Sequence, residues 1–392
     1  MVEYDPYMPE VLEDPNAVYA RMRAEAPVYY VERFDAWALF GFEDIWAGHE
    51  DTRHYSVKNG TSDLAFLERE PSAMETLASV DPPAHDALRK EVFRYFGPSA
   101  ARALEPRVRG WVRDCFDAHR GSGKIDAVRD LGQQIAVRVA CAVNGFPLED
   151  ADYLVDLVSR FFGREEGTEG MTEDGYAARK QTWDYIEGLA RERVKAGGGG
   201  EDALGLLSSY SDAQGPYTAE RMAQHLTLLL IGATETFPKV FATGLLRLWE
   251  HPEQRRELVE KPALIDDALT EILRYDMPTQ WLGRTTIEAH EIRGHEIREG
   301  QPVMFVYPSG NRDPEVFEAP DRFDIHRRAP RILSFGQGTH RCLGAFMARM
   351  EGRMLFEEVL REFPDYEVLL DESERLRTEF VQGFAHLPIT LG

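Results

Sequence analysis

The ten residues Phe335-Gly336-Gln337-Gly338-Thr339-His340-Arg341-Cys342-Leu343-Gly344 set one cysteine between a glycine-punctuated loop and an apolar stripe. Gly336 and Gly338 tolerate positive φ, which lets a short loop turn several backbone N–H groups toward one point. From Leu343 onward, Phe346, Met347, Met350, Met354 and Leu355 recur at three- and four-residue spacing, the period of a helix with one apolar face. Cys342 therefore falls at a helix N-terminus. Free N–H groups and the macrodipole there favour the thiolate, the form of cysteine that binds metal. A lone cysteine also serves as a small buried apolar residue, and these ten residues by themselves leave both readings open.

The pattern FGxGxHxCxG resembles the heme-binding loop of the cytochromes P450, the heme-thiolate monooxygenases. The resemblance implies that Cys342 is the axial ligand of heme b (iron protoporphyrin IX). It further implies that His340 contacts a heme propionate and that Phe335, Gly336 and Gly344 shape the loop against the cofactor. Three further motifs follow the family's order and spacing, so the likeness extends over nearly the whole chain. It implies one mainly α domain with a minor β part over residues 1–392, the P450 fold, with heme between a long central helix and the cysteine-ligand helix.

Composition is compatible with a large soluble enzyme. The 392 residues, 43% of them hydrophobic, suffice to bury a substantial core. No stretch approaches the ~18 to 20 uninterrupted apolar residues of a membrane span. The N-terminus, MVEYDPYMPEVLEDPNAVYARM, is acidic and proline-punctuated, without the basic-then-apolar order of a secretion signal, so a cytoplasmic location is expected. The net charge of −23 opposes binding to nucleic acid or anionic membranes. Cys115, Cys141 and Cys342 are few, odd in number and free of any CxxC pairing, which argues against disulfides or a thiolate zinc site. Cys115 and Cys141 lie in helix-like apolar patterns and are expected in the core.

Most long segments are helical in period, among them ALEPRVRGWVRDCFDAH, ERMAQHLTLLLIGATET and IDDALTEILRYD. Residues 27–42 and 292–307 read as two β-hairpins, the second turning at Glu299-Gly300. The run Gly197 to Gly200 reads as a flexible surface loop in preference to an interdomain linker. No internal repeat and no GxGxxG is evident, so electrons are expected from a separate protein.

The segment Gly232-Ala233-Thr234-Glu235-Thr236 resembles the family's oxygen-activating motif on the central helix. Small residues at 232 and 233 then give oxygen and substrate access to the backbone, Thr236 supplies a hydroxyl to the oxygen, and Glu235 relays protons. For these residues in isolation, a Thr236 bond back to the Gly232 carbonyl and a solvated Glu235 serve equally. Pro238 stands inside the helical pattern, cannot donate its N–H, and predicts a break or kink between 232 and 242.

Glu271 and Arg274 share a helix face at i,i+3. Together with Arg322 in Pro320-Asp321-Arg322-Phe323, they resemble the family's ExxR and meander arginine, which implies a buried charge cluster on the cysteine side. His85 and Arg89, four apart after Pro82-Pro83, resemble the propionate-binding pair, and Arg284 matches a further propionate contact. By the same likeness Leu228, Leu229, Gly232, Ala233, Gln280, Trp281, Leu282, Val381 and Gln382 line the substrate pocket, whose aromatic and leucine content implies an apolar or aromatic small molecule.

The resemblance also places Lys90, Arg94, Arg341, Arg349 and Arg353 around the thiolate face. A cationic patch there suits a ferredoxin or similar acidic electron donor. The expected activity is a monooxygenase, an oxidoreductase of secondary metabolism that hydroxylates or oxidatively couples its substrate. A peroxide-using heme enzyme and a non-catalytic heme-thiolate sensor are the alternatives, and the Glu235-Thr236 pair weighs against both.

Overall fold

The computed structural model describes residues 2–70, 74–165 and 169–391. Helices of nine or more residues are numbered here: α1 Pro15–Glu25, α2 Phe42–Glu50, α3 Ala84–Val92, α4 Pro98–His119, α5 Gln134–Asn144, α6 Ala151–Phe161, α7 Glu173–Lys195, α8 Ala219–Thr234, α9 Thr236–Glu250, α10 Pro252–Glu260, α11 Ile265–Tyr275 and α12 Ala345–Glu362. Their starts follow local chemistry. Asp14, Thr172 and Thr218 each accept a hydrogen bond from a backbone N–H in the first turn of α1, α7 and α8, and Pro15 and Pro98 occupy first helical positions, where a missing N–H costs nothing.

The apolar stripes of these helices meet in one large core. α8 packs on α7 and α5, α12 packs on α4 and α11, and α9 lies against a π-helical turn, Ala127–Gln133, that leads into α5. Cys115 and Cys141 are buried in this core, as their patterns predict.

The β part is a five-stranded sheet in the order β1 (Val28–Val31), β2 (Ala36–Leu39), β7 (Pro302–Val306), β4 (Trp281–Thr286), β3 (Tyr55–Ser56). β1 and β2 form the expected hairpin, with Val28 opposite Leu39. The second expected hairpin is not formed. β6 (His295–Ile297) pairs instead with β5 (His290–Ile292) across Arg293 and Gly294, both at positive φ. β7 leaves that neighbour and inserts between β2, to which it is parallel, and β4, to which it is antiparallel. Every residue of Pro302–Val306 is buried, so a place between two strands inside the sheet satisfies its backbone far better than one side of a hairpin.

Gly197 to Gly200 form a compact connection, all four at positive φ. Gly199 accepts a hydrogen bond from Arg193, and the loop abuts Gly205 closely enough that a Cβ there would meet the Gly199 oxygen at 2.6 Å. No described helix is long and apolar enough to cross a membrane.

Candidate active site

One cavity opens between the Cys342 loop, α3, the junction of α8 and α9, α11, β4 and the start of α12. Cys342 lies three residues before α12, and its N–H donates to the Phe335 carbonyl at 2.7 Å, which closes the loop. Gly336 and Gly338 sit at φ 62° and 69°, as the loop reading requires. A Cβ on Gly338 would lie 2.5 Å from the carbonyl oxygen of His49, so the loop is pressed onto the end of α2. The sulfur faces the cavity. Burial pushes its thiol up, while the N–H groups of Gly344 and Ala345 and the charges of Arg89 and Arg341 favour the thiolate.

A cluster of basic side chains stands in the same cavity. Arg284, on β4, is buried, donates to the Gly283 carbonyl at 2.8 Å and approaches His49 Nδ1 at 3.5 Å. Arg89 donates to the Arg341 carbonyl at 2.6 Å. Neither arginine has a carboxylate partner among the described residues. The His85 and His340 rings lie 4.2 Å apart. Burial, followed by the charges of His85, Arg284 and Arg89, pulls His340 down to about 3. His85 and His49 are also lowered, each chiefly by burial. The Nε2 atoms of His85 and His49 are buried without a hydrogen-bond partner. Uncompensated guanidinium groups and orphaned imidazole nitrogens call for anions with acceptor oxygens. The two carboxylates of a heme fit that demand, and the sulfur in the same cavity fits its iron.

His49 was not among the expected site residues. It stacks on Tyr307 at 5.5 Å and 13°, and both line the cavity. A lone histidine inside FEDIWAGHE carries no local signal of this position. Of the expected pocket residues, Leu228, Leu229, Gly232, Ala233 and Leu282 do line the cavity, with Thr236 beside them. Thr236 Oγ1 lies 3.4 Å from the Gly232 carbonyl, a weak back-bond.

Several expectations are corrected. Gln280, Trp281, Val381 and Gln382 do not line the cavity. Gln280 is buried, accepting from the Tyr19 hydroxyl and donating to the Thr378 carbonyl, and Trp281 is packed in the core beside Phe66. Val381 and Gln382 bond to Thr378 and Met277. Gln280, Val381 and Gln382 knit the turn at 278–281 to the C-terminal segment, and of residues 278–282 only Pro278, Thr279 and Leu282 reach inward.

Arg322 is exposed and pairs with Asp324, outside the ExxR cluster. Glu271 and Arg274 form the expected buried bidentate pair, at 2.7 and 2.8 Å, but the third member is Arg327, whose Nε lies 3.1 Å from Glu271 Oε1.

The carboxylate of Glu235 faces away from the cavity. It is 2% exposed and paired with Lys239 Nζ at 2.9 Å, bordering a separate groove with Arg164 and Glu379. Burial raises the Glu235 acid, and Lys239 opposes the shift. The break expected from Pro238 is present. α8 ends at Thr234 and α9 begins at Thr236, with Glu235 at φ −93°, ψ −42° between them.

The cationic face is also redistributed. Arg353 is neutralised by Glu105 and Glu357, and Arg349 bonds to Thr270 Oγ1 and lies over the Phe335 ring. Lys90, Arg94 and Arg341 are exposed with no carboxylate partner among the described residues. Phe93 and Phe346, each exposed, meet between them with ring centroids 6.2 Å apart.

Comparisons with known proteins agree with this geometry. The family model described as cytochrome P450 matches residues 177–385. The chain is 32% identical to the "Putative cytochrome P450 123" of Mycobacterium tuberculosis, over 99% of this chain and 96% of that protein. It is 32% identical to the "Vitamin D(3) 25-hydroxylase" of Pseudonocardia autotrophica, over 100% of this chain and 97% of that protein. Among solved structures, P450BioI in complex with a hexadec-9Z-enoic acid ligated acyl carrier protein superposes with a TM-score of 0.85 at 28% identity, covering 98% of this chain and 100% of that one. The chain belongs to the cytochrome P450 family.

Proposed function

We propose that Cys342 would hold the iron of heme b through its thiolate and that the cavity it lines admits an apolar small molecule for oxidation. Proteins of this family are heme-containing oxidoreductases. When bound, the cofactor supplies reductive activation of dioxygen, with one oxygen atom going to substrate and the other leaving as water, at the expense of two electrons and two protons. The observation that carries the reading is the pairing, in one cavity, of a sulfur supported by two helix-start N–H groups with two arginines that lack a carboxylate partner and two histidines, His49 and His85, whose Nε2 atoms are buried without a hydrogen-bond partner.

Each group then has a task. Arg89, Arg284, His85 and His340 take the propionates, with His49 added to the set. Phe335, Gly336 and Gly344 keep the loop thin enough for the cofactor to approach the sulfur. Leu228, Leu229, Ala233 and Leu282 exclude water and orient substrate, Gly232 keeps the helix backbone within reach, and Thr236 offers its hydroxyl to the reacting oxygen. The cavity wall presents aliphatic and aromatic carbon around few polar groups, which suits hydroxylation or coupling of an apolar or aromatic compound. The relative named as a vitamin D(3) 25-hydroxylase handles a molecule of that character.

The electron donor is an acidic protein of the ferredoxin kind, docking where Phe93 and Phe346 form an apolar centre ringed by Lys90, Arg94 and Arg341. Reversing Lys90 and Arg94 to glutamate should slow reduction by a ferredoxin and weaken its dependence on salt, without changing substrate binding. Unaltered reduction kinetics would remove this docking face. The central test is the spectrum of the reduced, CO-bound holoprotein. Thiolate ligation gives the Soret band that names the family, and Cys342→Ser should abolish it while the apoprotein keeps its fold. A thiolate spectrum surviving in that variant would overturn the assignment.

A further inference from the structure

A second and larger concavity lies on the outer side of the α8–α9 junction. It is walled by the N-terminal segment around Tyr7 and Leu12, the π-helical turn and first residue of α5, α6, and the C-terminal stretch 374–379. Its volume is ≈ 1140 Å3, against ≈ 340 Å3 for the cavity at Cys342, and no described residue lines both.

The charge of this groove is unbalanced. Four of its five basic side chains are already engaged, Arg129 with Glu374, Arg164 with Glu379, Lys239 with Glu235 and Arg377 with Glu13. The fifth, Arg375, lies over the Phe384 ring. Nine carboxyl groups stand against these five, so the wall is acidic in sum. Asp152, on α6, has no cationic partner among the described residues and accepts only from Gln134 Nε2, at 3.0 Å.

That bond sets which end of the Gln134 amide meets Asp152, and it leaves Gln134 Oε1 buried without a partner. Tyr7, on another wall, is 8% exposed, and its hydroxyl is likewise buried without a partner. Burial, then the nearby charge of Glu379, pushes the phenol up, so it stays neutral. An amide oxygen only accepts hydrogen bonds, and a phenol oxygen has lone pairs for the same purpose. Two orphaned acceptor oxygens and a carboxylate without a cation share one complement, a positively charged group rich in N–H donors. Leu12, Val155, Phe162 and Leu376 add carbon surface for the chain that joins such groups. A metal ion does not fit, because no cluster of three or more His, Cys, Asp or Glu among the described residues is arranged to hold one.

We propose that this groove is a second ligand site, separate from the cavity at Cys342, and that it takes an elongated organic polyamine whose N–H groups donate to Tyr7, Gln134 and Asp152. The acceptors stand on three different elements of a groove larger than the ~300 to 1,000 Å3 of an ordinary small-molecule pocket, which calls for several ammonium groups on one chain. Binding there is non-covalent and independent of the heme reading.

The test titrates spermine calorimetrically into the heme-loaded protein in about 0.15 M salt, which screens diffuse attraction to a chain of net charge −23. Phenylimidazole is added first to occupy the cavity at Cys342, where an amine could otherwise ligate iron. One spermine should bind per chain. Asp152→Asn and Gln134→Met should each weaken it about tenfold and Tyr7→Phe several-fold, the scale of one hydrogen bond to a charged group. Asp184→Asn, at an exposed pair with Lys180 on α7, should bind spermine as wild type does. Absence of saturable heat overturns the proposal. So do several equivalents whose affinity Asp152→Asn and Asp184→Asn lower alike, the mark of diffuse attraction, and binding that disappears when phenylimidazole is present, which places the amine at Cys342. Circular dichroism checks each variant; if Tyr7→Phe does not fold, Asp152→Asn decides, because Asp152 is exposed and its replacement leaves the core intact.

Discussion

Arg327 and Arg322 offer a sharp contrast, since they are five residues apart on one loop and the structure gives them opposite weight. Arg327 donates from Nε to Glu271 at 3.1 Å, and from its two Nη atoms to the carbonyls of Glu318, Ala319 and Arg322 at 2.6, 3.0 and 2.9 Å. Its side chain is only 11% exposed. Replacing it with alanine removes one charge-assisted bond to a buried carboxylate, worth about 1.5 to 3 kcal/mol, and strips three loop carbonyls of their donor. Glu271 keeps its bidentate partner Arg274, so the carboxylate is not stranded. The expected loss for Arg327→Ala is therefore about 3 kcal/mol, below the ~3 to 5 kcal/mol of a buried pair broken outright, as in Arg274→Ala. Arg322→Ala breaks one ion pair whose arginine is 70% exposed, and should stay within about 0.5 kcal/mol of wild type. Urea unfolding followed by circular dichroism measures both, with similar m-values as the check that only stability has changed. Equal midpoints for the two variants, or a larger loss for Arg322→Ala, would refute the assignment of Arg327 to the cluster.

Three further outcomes follow from single contacts. Glu351 has a folded-state pKa raised above the ordinary carboxylate value, so the fold binds its proton more tightly than the unfolded chain does. Its contribution is thus fully present below about pH 4.5 and is lost as pH rises toward 8, by up to several kcal/mol, and E351Q should flatten that part of the urea-unfolding profile of the apoprotein. Lys239→Met leaves Glu235 buried without its cation and should cost about 3 to 5 kcal/mol at neutral pH and less in acid, where the carboxyl takes a proton; adding E235Q should restore most of the loss in the same assay. Gly338→Ala sets a Cβ 2.5 Å from the His49 oxygen at a φ of 69°, so the purified variant should carry markedly less heme per chain by absorbance, while Gly110→Ala, where a Cβ meets nothing, should not.

Features determined within one turn or one loop were legible in the sequence. The two glycines of the cysteine loop, the i,i+3 spacing of Glu271 and Arg274, the i,i+4 spacing of His85 and Arg89 and the break imposed by Pro238 each depend on backbone geometry a few residues long. What failed depends on the path of distant chain. Whether Arg322 or Arg327 reaches Glu271 is decided by a loop with Ala319 and Arg328 at positive φ, two non-glycine residues that give no composition cue. The strand at 302–306 looked like half of a hairpin because its neighbour in sequence was the one partner visible; its true partners lie at 36–39 and 281–286. Gln280 and Trp281 carry the residue types of a binding loop, yet their environment is set by Tyr19, Phe66 and Thr378, none of them near in sequence.

The junction of α8 and α9 shows how a linear motif divides in space. Pro238 has no N–H to give the Thr234 carbonyl, and the helix interrupts three residues earlier, at Glu235. The outer side of that interruption is filled by protein. A Cβ on Gly132 of the π-helical turn would lie 2.7 Å from Pro238 Cα, and one on Gly383 would lie 2.9 Å from Lys239 Cβ, so two glycines permit backbone and side chain to close against the break. The inner side, with Gly232, Ala233 and Thr236, is left open to the cavity. Adjacent residues of a helix already point about 100° apart, and a junction clamped on one side holds that divergence in place. Glu235 and Thr236, neighbours in the chain, are consequently fixed on opposite sides of it, one in an ion pair with Lys239 and the other facing the cavity that holds Cys342.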